Sequence, residues 1–125
     1  MALGEFTPDE ANEALRPIAS LISKSEKAQE KLMPGTWQHT MLQGNIRALN
    51  LAYLLISGEA NAALNITKDE YQESLQSLAS MIEKSEASQV KFSPGTSQHS
   101  LLRNRIKALY IAEAFISATW STEVG

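Results

Sequence analysis

The chain has 125 residues, 43% of them apolar and 20% charged, with a formal net charge of −3. That length suits one domain, and that apolar content is too rich for a disordered chain. Cysteine is absent, which excludes disulfides, thiolate chemistry and Cys-bound zinc together, and the acidic balance excludes wholesale attraction to a phosphate backbone.

The first predicted helix starts at Pro8. Thr7 is its N-cap, Pro8 suits the first helical position, and Glu10 completes a capping box. Phe6, just before the cap, can staple onto Ala11. Ala11, Leu15, Ile18 and Ile22 follow at the 4-3-4 spacing of an amphipathic helix. Pro17 falls inside this run and predicts a bend, because an interior proline costs about 3 kcal/mol. The helix is expected to stop before Pro34-Gly35-Thr36, where Pro34 disfavours helical geometry at Met33 and Gly35 accepts a positive φ.

Thr36 can cap the second helix, whose stripe reads His39, Leu42, Ile46, Leu49, Tyr53 and Ile56. Gly44 is a weak helix residue within it. After a short linker, residues 58–66, the signals return. Ile66, Thr67, Glu70 and Tyr71 spell the start of a third helix, with Leu75, Leu78 and Ile82 along its face. A second turn, Pro94-Gly95-Thr96, leads to His99, Leu102, Ile106, Leu109 and Ile116. There Glu113 stands in the place of Tyr53, so the stripe is expected to turn towards Ile111, Ala112 and Phe115.

The signals return because the chain is written twice. Residues 6–58 align on 66–118 without a gap, and 25 of the 53 positions are identical, which makes an internal duplication the main constraint on architecture. Each repeat reads as an αα-hairpin that cannot bury its apolar face alone. The predicted fold is therefore all-α: an antiparallel up-down-up-down four-helix bundle built from two tandem αα-hairpin repeats, with residues 1–125 forming one domain. The nine linker residues reach about 30 Å at most, too short to flip the second hairpin end over end. Both Pro-Gly-Thr turns are thus expected at one end, about a pseudo-two-fold axis.

The polar identities gather at that end. Between Ala19 and His39, 13 of 21 positions match, many of them polar, against 7 of 19 between Thr40 and Gly58. Continuing the inward stripe brings Ser25 and Gln29 towards His39, and Ser85 and Gln89 towards His99. Two readings follow. These groups can satisfy helix-end amides and carbonyls, or fix register as a buried polar layer. Alternatively they form a small polar pocket for a ligand or anion, favoured by two helix N-termini pointing into one region.

Catalysis and metal binding find less support. Ser25 and His39 have no matching acid to orient them. Two histidines fall short of the three or four ligands of a stable metal site, so no cofactor is expected. Asp9, Glu10 and Glu13 are explained by the preference of carboxylates for the first turn of a helix. Arg103, Arg105 and Lys107 form a basic stretch in one copy only, which reads as a solvated face rather than a nucleic-acid site. Trp37 has Ser97 as its counterpart and sits beside the first turn, which makes it the best single candidate for a partner surface. Trp120 lies beyond the aligned block.

The pattern ALRPIASLISKSEKAQEKL, then PGT, then QHTML resembles short uncharacterised bacterial helical-hairpin proteins with one such unit per chain. The resemblance covers both repeats and implies no activity. It implies that single-unit relatives form the same bundle as homodimers, and that this chain is a fused dimer. No apolar run approaches the roughly 20 residues of a membrane span, and MALGEF has neither the charged nor the apolar region of a signal peptide. The expectation is a non-enzymatic, cytoplasmic interaction or regulatory module with a protein partner, without membrane or nucleic-acid contact, and with self-association open. The alternative is a small-ligand- or anion-binding protein using the twinned polar end.

Overall fold

The computed structural model describes residues 6–59, 61 and 66–124, with side chains described through residue 120. It holds four helices: α1 (Pro8–Glu30), α2 (Trp37–Ile56), α3 (Lys68–Gln89) and α4 (Ser97–Val124). Among the described residues there is no strand. The expected linker, residues 58–66, lies mostly outside them.

The start signals act as their sequence implies. The Thr7 hydroxyl accepts the Glu10 N–H at 3.1 Å, and the Glu10 carboxylate accepts the Thr7 N–H at 3.0 Å. Thr67 and Glu70 repeat the box at 3.1 and 3.2 Å. The turns repeat as well. The Thr36 hydroxyl donates to the Met33 carbonyl at 2.9 Å and accepts the His39 N–H at 3.3 Å. Thr96 does the same with Ser93 at 2.9 Å and His99 at 3.2 Å. Gly35 and Gly95 sit at φ of 93° and 92°, a left-handed geometry that costs glycine little. α1 runs through Pro17 without a break.

Each helix packs on its neighbours in the order α1, α2, α3, α4 and back to α1, and α2 also meets α4 across the diagonal, whereas the backbones of α1 and α3 stay further apart. Composition explains which pair is inside. Ala48, Leu49 and Ala52 on α2, and Ala108, Leu109 and Ala112 on α4, are all buried. Alanine at the same places of each repeat lets two helix axes approach closely. The buried face is wider than the predicted stripes, since it also takes Ala14 and Leu51, and on α4 it takes Ile111 and Ala112 as the turned stripe implies. Gly44 marks a second close approach: a Cβ added there would lie 3.3 Å from Ser77 Oγ, so α2 and α3 meet at that level. The equivalent pair between α4 and α1, Asn104 and Pro17, lines a cleft instead.

α4 is longer than the duplicated block predicts. Its 28 residues run past position 118, and Trp120 stacks on Tyr71 with ring centroids 6.3 Å apart and planes 14° off parallel. Tyr71 is buried, so a residue outside the repeat closes the core over the start of α3. In the first copy the position of Tyr71 belongs to Ala11, which lines a cleft with Phe6, Ile56 and Phe115.

Candidate functional site

The last turns of α1 and α3 and the first turns of α2 and α4 carry the predicted polar residues. Gln29 is half-buried; its amide donates to the His39 carbonyl at 3.2 Å and to Gln43 Oε1 at 2.8 Å. Gln89 donates to the His99 carbonyl at 3.4 Å. Arg103 occupies the position equivalent to Gln43, so the second bond has no counterpart. Each glutamine therefore ties the end of one helix to the start of the next, across its own turn. Ser85 is buried, while Ser25, His39 and His99 are half-buried.

Within each hairpin the expected Gln–His proximity is present, through the His main chain rather than its ring. Among the described residues no hydrogen bond joins Ser25, Gln29 or His39 to Ser85, Gln89 or His99. The two hairpins are linked nearby: Lys84 Nζ donates to Met41 Sδ at 3.4 Å, tying the C-terminal part of α3 to the N-terminal part of α2. His99 Nδ1 is buried without a hydrogen-bond partner among the described residues. Among these residues no group of three or more His, Asp or Glu is placed to hold a metal ion.

The surface of this end has a second character. Seven large apolar side chains are exposed among the described residues, and five of them, Met33, Trp37, Val90, Phe92 and Leu101, belong to the two turns or to the starts of α2 and α4. Trp37 is 69% exposed, Met33 75% and Val90 83%. Sequence reasoning singled out Trp37 and passed over the other four, because Met, Val, Phe and Leu near a helix end read as core. The available signal was position: Leu101, two residues after His99, falls off the inward stripe.

The basic stretch of α4 is divided in its roles. Lys107 pairs with Glu10, and this bond, together with the Thr7 N–H, holds the Glu10 carboxyl below its ordinary value. Arg103 is exposed and Arg105 half-buried. Further along α4, burial pushes the Glu113 carboxyl up. The Tyr110 hydroxyl donates to Glu86 at 3.1 Å, which raises the phenol above its usual value.

Three surface clefts of about 560, 480 and 390 Å³ lie along α4, between α1 and α4, and around Phe6. None of the three is lined by the predicted Ser, Gln or His residues. Among the described residues no helix is long and apolar enough to cross a membrane. Comparison with protein-family models, curated proteins and solved structures returned no match to this chain.

Proposed function

We propose that this chain is a non-enzymatic helical module of the cytoplasm that binds a protein partner through the end bearing its two Pro-Gly-Thr turns. One observation carries the reading: most of the exposed large apolar side chains gather at that end, and clustered exposed apolar surface marks interaction sites. Trp37 is its centre, since a protruding tryptophan is a favoured anchor at protein interfaces. We read the four helices as an antiparallel up-down-up-down bundle of two tandem hairpins, a fused version of a single-hairpin homodimer. The twinned capping boxes, the twinned turns and the Lys84–Met41 contact support that reading. The test is Trp37→Ala. It should leave the melting temperature unchanged and lose a partner captured by the wild-type chain; equal capture by both would refute the reading.

One observation favours a second reading, a small-ligand or anion site at the Ser/Gln/His layer: the buried, unpartnered His99 Nδ1, since buried polar atoms are normally paired. A ligand that raises the wild-type melting temperature and fails to do so after Gln29→Ala with Gln89→Ala would establish it. If no ligand raises it, the layer is structural.

A further inference from the structure

Resting on the reading of the turn end as a partner surface, we infer that the partner presents an acidic, apolar-faced protein segment, such as an amphipathic helix with carboxylates beside its apolar stripe. The argument is the distribution of charge around the exposed apolar residues. From Lys31 to Gln43 and from Ala87 to Asn104 the chain holds no Asp or Glu, whereas it holds Lys31, Lys91 and Arg103, all exposed. Lys31 and Lys91 are equivalent positions, one at each turn. The net charge of the whole chain has the opposite sign, −3, so this end is set apart from the rest of the molecule. Glu30, the exposed last residue of α1, adjoins Lys31, and Glu26 and Glu86 stand at equivalent places further back on α1 and α3, with Glu86 held by the Tyr110 hydroxyl.

Met33, Trp37, Val90, Phe92 and Leu101 would supply the apolar contact, and the cations would select for charge. Opposite potentials across an interface set specificity and association rate more than raw affinity. An anionic lipid surface offers related chemistry, but magnitude disfavours it. Each Lys or Arg near an anionic bilayer contributes about 1 kcal/mol, and lipid-binding segments gather roughly 4–8 of them, whereas here Glu26, Glu30 and Glu86 offset Lys27, Lys31, Lys84, Lys91 and Arg103 to a net +2.

Two synthetic amphipathic helical peptides test the inference. They share one Leu/Phe face; one carries Glu and the other Lys at every polar position. Binding is followed by NMR shift changes and by the salt dependence of affinity. The expected result is at least about tenfold tighter binding of the Glu peptide, with shifts centred on Trp37 and Phe92. Trp37→Ala with Phe92→Ala should weaken it about tenfold or more, and Lys31→Glu with Lys91→Glu and Arg103→Glu should invert the preference. Equal affinity for both peptides, or preference for the Lys peptide, overturns the inference while leaving the turn end a partner surface. Absence of peptide binding with co-sedimentation on phosphatidylserine vesicles, lost in Trp37→Ala with Phe92→Ala, overturns it in favour of a lipid surface. Concentration-dependent self-association lost in that variant, without peptide binding, overturns it in favour of a second copy. No binding in any arm overturns both this inference and the partner surface.

Discussion

Replacing Gln29 and Gln89 by methionine, singly and together, separates the two hairpins by their geometry. Methionine keeps the length and much of the shape of glutamine and has similar helix propensity, so the change isolates the hydrogen bonds. An intramolecular hydrogen bond contributes about 0.5–1.5 kcal/mol net. Gln29 donates twice, at 2.8 and 3.2 Å, so Gln29→Met should cost about 2 kcal/mol. Gln89 donates once at 3.4 Å, beyond the usual range, so Gln89→Met should cost about 0.5 kcal/mol. In a domain of this size 1 kcal/mol moves the midpoint by roughly 4 °C, which gives drops of about 8 °C and 2 °C. Far-UV circular dichroism during thermal and urea unfolding measures both. A Gln29→Met, Gln43→Met cycle should also return a coupling of about 1 kcal/mol, because those side chains bond directly. Equal costs for Gln29→Met and Gln89→Met, or neutrality of both, would refute the view that these amides fasten the turns.

Trp120→Ala should lower stability by about 2 kcal/mol in urea unfolding, because it strips the ring stacked on buried Tyr71. Gly44→Ala gains helix propensity of up to about 1 kcal/mol but crowds Ser77 Oγ. It should therefore stabilise more in a Ser77→Ala background than in the wild type, and an additive cycle would show that the helices do not press together there. Glu113 is raised by burial, so its ionisation opposes folding as pH rises through its folded pKa. Glu113→Gln should accordingly raise the melting temperature at neutral pH, with the gain disappearing in acid. Glu10 is shifted the other way, by Lys107 and the Thr7 N–H. Its contribution is present above its unfolded pKa and lost as pH falls through the folded value, so Glu10→Gln should destabilise at neutral pH and become neutral in strong acid.

Local devices were legible because they depend on residues a few positions apart. The Thr7–Glu10 and Thr67–Glu70 boxes, the Gly35 and Gly95 turns and the four helix starts follow from neighbours in the chain, and the duplication supplied each of them twice. The Gln29 and Gln89 links were legible as proximity, because the inward stripe of one helix continues onto the next across a short turn. The choice of amide and carbonyl as the bonded groups needed coordinates, as did the Gln29–Gln43 bond.

What the sequence determined, then, is the set of helices, their starts and the twofold repetition of the signals that set them, since period, caps and turns are short-range properties. Tertiary structure decided the rest. Contacts between helices distant in sequence put α2 and α4 on the inner diagonal, using alanines that pattern reading discounts for lack of bulk. They brought Trp120, outside the repeat, onto Tyr71. They also left Met33, Val90, Phe92 and Leu101 in water, as they did Trp37. A residue type states what a side chain prefers, and only the packing of four helices determines which apolar side chains are left uncovered.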